Sequence, residues 1–318
     1  MQIKTPLNKI RQDILKTLAY FDYFKYPLTC EDIRSFLPQR CNQPIIDEML
    51  SVLLNENMIF KTDNFYSLQN EPLLAKKRKE GNQRAVKQLA IARKVGRLLS
   101  HFPYVETVAV SGSLSKHFAD EKADIDFFII TSANRLWIAR TCMHFLKKIS
   151  YIAGKQNWFC MNYYIDEMGM DIQEKNIFTA MEIATLLPMQ GANHFRNFIS
   201  ANTWIGNYFP AHIISTCSEA EIKKGFIRKC FEKIFNSTLG DITDKWLMSI
   251  TDKRLKKKTK EGKLNDHGAR VGMMVNRHFS KPDPKNFQAK IVQQYENKVT
   301  HLLQSNQLVD SSCLTFKS

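Results

Sequence analysis

The sequence predicts an α+β protein, in which a small mixed sheet is flanked on both sides by helical segments. Three observations carry this prediction. Apolar residues recur at helical spacing over residues 8–24 and 43–55, and a hairpin-like segment follows at 58–68. Short apolar runs of strand length alternate with helical patterns over residues 106–165. From His194 onward the pattern is helical again.

Residues 1–70 are predicted to form a winged-helix-like unit of three helices and a hairpin. Thr29 is a good N-cap for the second helix, because its hydroxyl can accept a hydrogen bond from the first turn. The third helix spans 43–55, and the hairpin over 58–68 turns at residues 63–64.

The third helix of this unit argues against DNA binding. Winged helices often place that helix in the major groove. Here it carries Asp47 and Glu48, Glu56 follows it, and it has no Lys or Arg. Acidic side chains facing a phosphate backbone are repelled, so we expect this unit to pack against the rest of the protein or a partner.

The net charge of +15 is distributed unevenly along the chain. Residues 1–70 are neutral, the basic connecting helix at 71–103 carries +7, residues 104–190 carry −2, and residues 191–318 carry +10. Positive charge therefore flanks the central segment, which suits an anionic substrate such as a nucleotide, a phosphorylated compound or RNA. Solubility and ordinary helix-surface charge are the alternative explanation.

Cysteine usage and hydropathy predict a cytoplasmic protein without a membrane partner. No apolar run approaches the length of a membrane span, and residues 1–13 lack the apolar region of a signal peptide. The seven cysteines are scattered and form no CxxC pair, which fits neither a disulfide framework nor a zinc site. They are Cys30, Cys41, Cys142, Cys160, Cys217, Cys230 and Cys313.

The central feature of the sequence is an acidic pair that follows a turn containing glycine. A short apolar strand at 108–110 leads into the Ser-Gly-Ser turn at 111–113, and Asp124, Ile125 and Asp126 open a second apolar strand. Side chains alternate along a strand, so the two aspartates share one face. Two carboxylates side by side repel each other and resist burial, whereas Mg²⁺ binds such a pair and completes its shell with water and phosphates.

This stretch resembles the signature of the DNA polymerase β-like nucleotidyltransferases, the superfamily that includes kanamycin nucleotidyltransferase and the small MNT-type proteins. That signature is a hydrophobic residue, Gly, Gly or Ser, a gap of roughly ten residues, then Asp, a hydrophobic residue, and Asp or Glu. In this chain, ten residues separate the turn at 111–113 from the Asp-Ile-Asp triplet at 124–126. An ordinary turn followed by an edge strand with an exposed acidic pair is the alternative interpretation.

The resemblance implies Mg²⁺-dependent (or Mn²⁺-dependent) transfer of a nucleoside monophosphate from a nucleoside triphosphate, with ATP as the expected donor, to an acceptor hydroxyl. It implies that Gly112 and Ser113 hold the terminal phosphates. It also implies that Asp124 and Asp126 are catalytic and bind the metal. Nothing in the sequence decides whether the acceptor is a small molecule, a protein or RNA.

Arg140 is a candidate phosphate ligand. It lies on the helix that follows the strand of the aspartates, from which an arginine could reach a triphosphate. A structural ion pair is an equally good explanation for this residue.

A third carboxylate, which the family usually places on the next strand, is harder to identify. That strand, predicted at 158–165, has Asn162 in its middle, and an amide cannot act as a base. We take Asp166, directly after the strand, as the third catalytic acid. Asp171, in the following loop, and Glu182, on the next helix, are the other candidates.

The predicted organisation is thus a winged-helix-like domain at 1–70, the connecting helix at 71–103, a nucleotidyltransferase core at 104–190 and a helical domain at 191–318. Two other functional classes remain open. One is a catalytically weak or inactive nucleotidyltransferase fold that binds nucleotide and regulates a partner. The other is a winged-helix nucleic-acid binder in which the core is only a scaffold.

Overall fold

The computed structural model describes residues 4–121, 123–152, 154, 158–216, 222, 224–262, 272–282 and 287–315. It confirms the α+β class, because helices surround a six-stranded mixed sheet of order β6-β3-β4-β5-β8-β7. The strands are β1 (Phe60–Thr62), β2 (Phe65–Ser67), β3 (Val105–Val110), β4 (Asp126–Thr131), β5 (Cys160–Asp166), β6 (Leu187–Gln190), β7 (Met273–Val275) and β8 (Phe279–Pro282).

Eleven α-helices lie in the described part of the chain. They are α1 (Lys4–Asp22), α2 (Cys30–Ser35), α3 (Gln43–Asn55), α4 (Pro72–Ser100), α5 (Gly112–Ser115), α6 (Leu136–Ile152), α7 (Ile177–Ala184), α8 (Ala192–Ala201), α9 (Phe226–Phe235), α10 (Thr238–Lys260) and α11 (Phe287–Thr315).

The first 70 residues form the three helices and the hairpin that the sequence predicts. Thr29 caps α2 in a reciprocal capping box with Asp32, as its position before the helix indicates. β1 and β2 pair antiparallel, with Thr62 opposite Phe65. Helix α3 exposes Asp47 and Glu48 to solvent, so its outer surface is acidic.

The connecting helix α4 is continuous through Gly81, although a glycine inside a helix is unfavourable for helix formation. Gly81 is buried, and the Phe118 ring packs against it so closely that a β-carbon at this position would lie 2.2 Å from the ring. Glycine at position 81 therefore allows the close contact with Phe118 and does not break the helix.

The sheet is built around one parallel pair of strands. β4 pairs parallel with β5 through the α6 crossover, and β3 pairs antiparallel with both β4 and β6. Ser111, just after β3, donates its backbone N–H to the Asp126 carbonyl at 2.9 Å. This bond sets the glycine turn beside the first residue of the neighbouring strand.

The segment at 273–280 was predicted as helix, and this prediction is wrong. It forms β7 and the start of β8, and β8 pairs antiparallel with the edge of β5. The expectation of an all-helical segment from 191 onward fails for the same reason. Both strands are short, and β8 pairs with a strand more than a hundred residues earlier, which local periodicity does not reveal.

Two apolar cores lie on opposite faces of the sheet. One face carries Ala109, Phe128 and Ile165, and it packs continuously with α1–α3, α7 and α8. The other face carries Val108 and Phe127, and it packs with α4 and α6. The alternation of side chains along each strand thus places the N-terminal helices on the same face as Asp126.

No helix in the described ranges is long and apolar enough to cross a membrane. Cys30, Cys41, Cys142, Cys160 and Cys230 are free thiols. Cys217 and the side chain of Cys313 lie outside the described residues.

Candidate active site

A cleft of about 730 Å³ opens on the sheet face that carries Asp126. The glycine turn, α7, β8 and α11 surround it, and Phe128 and Tyr163 form part of its floor. Its polar and charged lining residues are Ser111, Gly112, Asp126, Glu174, Asn176, Thr179, Glu182, Lys281, Gln288, Gln293 and Glu296. The cleft therefore joins the predicted glycine–aspartate motif to residues from the C-terminal third of the chain.

Gly112 is pressed against the Asp126 carboxylate. Its φ angle of +69° lies in the left-handed region, which favours glycine. A β-carbon here would lie 2.9 Å from Asp126 Oδ2, closer than such atoms approach each other. The turn thus needs glycine both for its backbone conformation and for the space that the carboxylate occupies.

Asp126 is the first residue of β4, and its carboxyl group is poorly solvated. Burial raises the pKa of Asp126 to about 6, a hydrogen bond from the Cys160 thiol opposes the rise, and the charges of Asp124 and Glu182 add to it. The same contact and the burial raise the pKa of Cys160 to about 12, so this thiol remains protonated. The ionised form of Asp126 is therefore destabilised in the folded chain, and a cation bound beside it would offset that cost.

Glu182 on α7 is the carboxylate that the fold brings toward Asp126. It lines the same cleft, and Lys116 Nζ holds its Oε1 at 2.8 Å. Lys116 Nζ also donates to the Gly112 carbonyl at 3.1 Å. One lysine thus fixes the glycine turn and the Glu182 side chain relative to each other.

The rest of the cleft combines apolar walls with paired charges. Phe178, Phe198 and Phe287 lie among its apolar lining residues, and Lys281 forms a salt bridge with Glu174. Flat aromatic surface beside hydrogen-bonding groups suits a ligand that has both a ring and polar substituents.

Asp166 does not lie in this cleft. In the parallel register Asp126 pairs with Cys160, whereas Asp166 pairs with Thr131 at the other end of the two strands. Its buried carboxylate accepts hydrogen bonds from the Asn134 and Met168 backbone N–H groups and contacts His278 Nδ1 at 2.9 Å. These partners give Asp166 a structural role in holding the loops at that end of the sheet.

Arg140 is likewise separated from the aspartates. Its guanidinium lies 5.5 Å from the Trp137 ring centroid and 5.7 Å from that of Tyr164, in the core on the opposite face of the sheet. Burial lowers the pKa of Arg140. The observed environment is that of a buried structural arginine stacked between aromatic rings.

Ser113, Asp124 and Asp171 are not among the residues that line the cleft. Ser113 is exposed in the first turn of α5, next to the lining residue Gly112, while Asp124 is partly buried just before β4. Asp171 is half-exposed and forms a salt bridge with Lys175 at 3.4 Å. The side chain of Asn162 lies outside the described residues.

The donor set fits Mg²⁺ better than a metal that needs an all-protein cage. Within the described ranges no group of three or more His, Cys, Asp or Glu side chains converges on a metal position. Two adjacent carboxylates, one of them with a pKa raised to about 6 by burial and by nearby negative charge, match an ion that also uses water and substrate phosphates.

No protein-family model matches this chain, and neither a curated protein nor a solved structure matches it. Inference about function therefore depends on the geometry of the cleft and on the motif at 111–126.

Sequence reasoning missed the residues that α7, β8 and α11 contribute to the cleft. Glu174, Lys281 and Glu296 are far apart in sequence and belong to no motif. Glu182 is one of the candidates that the sequence offers for the third carboxylate. The apolar spacing of α7 is the signal for it, because that spacing predicts which face of the helix is buried.

Proposed function

We propose that the protein is a Mg²⁺-dependent nucleotidyltransferase acting in the cleft. The observation that carries this proposal is the close approach of Gly112 to Asp126 at the edge of a 730 Å³ cavity. A core gains nothing from a partly buried carboxylate held against a glycine turn, whereas a phosphate-binding loop beside a metal ligand requires both.

In this proposal the glycine turn positions the triphosphate. The first backbone N–H groups of a helix have no partner within the helix, so those of α5 can donate to phosphate oxygens. Asp124 and Asp126 would hold Mg²⁺, which supplies charge neutralisation of the triphosphate when it is bound. The aromatic walls of the cleft provide stacking surface for the base.

Glu182 replaces Asp166 as the proposed proton acceptor. It takes the proton of the acceptor hydroxyl, whose oxygen forms a bond to the α-phosphorus while the bond from that phosphorus to the pyrophosphate oxygen breaks. Lys116 keeps the Glu182 carboxylate turned toward the glycine turn, as their 2.8 Å contact indicates. The acceptor is a hydroxyl compound of unassigned class.

The first test is the thermal stability of the protein with each nucleoside triphosphate, with and without Mg²⁺. A ligand at a hundred times its dissociation constant stabilises the folded state by about 2.7 kcal/mol, which gives a measurable shift. We expect a Mg²⁺-dependent shift with the wild type that Asp124→Asn loses and that the exposed control Asp171→Asn keeps. Equal shifts in Asp124→Asn and wild type would contradict the proposed site.

A second test follows transfer of the label from an α-labelled triphosphate to fractionated acceptors. Glu182→Gln should slow transfer by about a hundredfold or more while keeping the Mg²⁺-dependent thermal shift, because a general base contributes to the rate and not to binding.

A nucleotide-binding protein without turnover is the second candidate. The position of Asp166 at the opposite end of the paired strands from Asp126 favours it. It predicts the same thermal shift and no transfer of label from the triphosphate to any acceptor.

A further inference from the structure

Helix α9 exposes large apolar side chains to solvent and buries two charged ones. Phe226 and Ile227 are 82% and 85% exposed, and Ile234 is 60% exposed, although all three are large and apolar. The charged residues Arg228 and Glu232 of the same helix are 4% and 7% exposed. Phe231 and Phe235 pack inward against the second core, while Lys229 and Lys233 are exposed beside the apolar residues. The outward face of α9 therefore combines large apolar side chains with cations, which is unusual for a helix on a protein surface.

The inward face of α9 is held in place by a buried ion network. Arg228 bonds Glu232 at 2.6 Å and Glu106 at 3.0 Å, and it also donates to the Ser100 and Val105 carbonyls. These bonds attach α9 to the end of α4 and the start of β3. Because the network fixes the orientation of the helix, its apolar side cannot turn inward without exposing paired charges from the interior.

Helix α10, which follows α9 and packs against it, carries a second exposed apolar stripe. Leu239, Ile242 and Trp246 follow one another at helical spacing, and each is more than half exposed. Two residues, at 236 and 237, separate α9 from α10. Both helices pack on the sheet face opposite to the cleft, where Phe231 and Leu247 contact the second core.

The same stripe of α10 becomes basic toward its C-terminal end. Lys253, Lys257 and Lys260 continue the spacing of the apolar stripe, and all three are exposed. Arg254, Lys256 and Lys258 lie beside them. A partner that binds the whole face therefore needs apolar groups at one end and negative charge at the other.

An anionic lipid surface meets both requirements. Interfacial helices carry Trp, Phe and aliphatic residues that enter the acyl boundary, with lysines that contact anionic headgroups. A second copy of the chain docked through the same face would bring the same cations, and nucleic acid would leave the aliphatic side chains without apolar contacts. Charge complementarity thus selects the bilayer.

We propose that the outward face of α9 and α10 docks on anionic phospholipid bilayers. The helices lie on the surface and do not cross it, so the absence of a spanning helix does not bear on this contact. The expectation of no membrane partner depended on spanning segments alone. Docking is independent of nucleotidyl transfer, since the cleft lies on the other face of the sheet.

The test is flotation of the full chain with vesicles of phosphatidylcholine alone or with about one third phosphatidylserine. We expect binding to the anionic vesicles only, with a blue shift of Trp246 emission. Ile227→Glu with Ile242→Glu should abolish binding, while Leu73→Glu with Val86→Glu on α4, which are equally exposed, should not.

The cationic part of the face has its own variant. Lys253→Gln, Lys257→Gln and Lys260→Gln together should weaken partitioning by roughly a hundredfold, about fivefold for each lysine. No binding of the wild type to anionic vesicles would overturn the proposal. Self-association that the Ile227→Glu and Ile242→Glu variant abolishes, without vesicle binding, would assign the face to a second copy instead.

Discussion

At the scale of one residue, the buried carboxyl group of Asp126 opposes the stability of the folded chain. Its pKa is about 6 in the folded chain and 3.8 in the unfolded reference, chiefly because of burial. Between these values the folded state binds more protons than the unfolded state, so stability falls as the pH rises from about 4 to about 6. Above pH 6 the cost reaches its full value of up to about 3 kcal/mol.

We therefore predict that Asp126→Asn stabilises the protein by about 1–3 kcal/mol at pH 7.5, because it removes the buried charge and keeps the shape. The same substitution should abolish the Mg²⁺-dependent thermal shift. Denaturant unfolding of wild type and variant from pH 4 to pH 8 measures the first effect, and a variant less stable than wild type at pH 7.5 would contradict it.

Asp244 is a second buried acid that contributes to the pH dependence of stability in that experiment. Burial raises its pKa to about 6 as well, and its carboxylate caps α6 by accepting from the Trp137 and Ile138 backbone N–H groups. Both acids titrate in one pH window, so only the difference between wild type and Asp126→Asn reports on Asp126.

Gly112→Ala should separate backbone strain from the close contact with Asp126. The positive φ angle costs roughly 1 kcal/mol for alanine. The added β-carbon also displaces the Asp126 carboxylate, so the Mg²⁺-dependent nucleotide shift should disappear. Gly262→Ala is the matched control, because Gly262 has a φ of +63° and no neighbouring atom within 4 Å. A nucleotide shift retained in Gly112→Ala would argue against the proposed role of the turn.

At the scale of elements, the sequence predicts the helices and strands that have a clear local pattern. The strand carrying Val108 and the long helix α4 occur within three residues of their predicted limits, and the capping box at Thr29 forms. The glycine turn and Asp126 meet because two adjacent antiparallel strands bring them together, which their spacing already implies.

Register and strand order are what the sequence could not supply. Asp166 was chosen because it follows the next strand, but a parallel strand of seven residues carries it to the opposite end of the sheet. Glu182 reaches the cleft through the packing of α7 on α11 and the sheet, and such contacts are not encoded in local periodicity.

The ion network of α9 should contribute strongly to the free energy of unfolding. Arg228→Met leaves Glu106 and Glu232 buried with Lys224 as their remaining cation, and we expect a loss of about 3–5 kcal/mol in denaturant unfolding. Lys79→Met breaks a half-exposed pair with Asp63 and should cost less than about 1 kcal/mol. Equal effects of the two substitutions would show that the network is not structural.

At the scale of the whole molecule, the N-terminal helices share a core with the sheet. Tyr20 lies 5.9 Å from Tyr295 on α11, and Phe36 stacks on His212 at 4.8 Å, measured between ring centroids. Lys298 of α11 forms a salt bridge with Asp22 at the end of α1. The predicted division at residue 70 therefore falls within one continuous apolar cluster.

We predict that residues 1–70 alone do not form a cooperative fold, because the fragment loses these contacts and exposes Tyr20. Near-ultraviolet circular dichroism of the fragment measures this. In the full chain, Tyr295→Ala should lower the midpoint of a single thermal transition. A separate transition for the N-terminal helices would contradict the prediction.

The hydroxyl of Tyr26 donates to the Lys116 carbonyl at 2.5 Å, while the ammonium of Lys116 contacts Gly112 and Glu182. One residue thus transmits the position of the N-terminal helices to the turn that lines the cleft. A molecule that shifted those helices would change the affinity for a ligand in the cleft, and by thermodynamic linkage the ligand would change the affinity for that molecule equally.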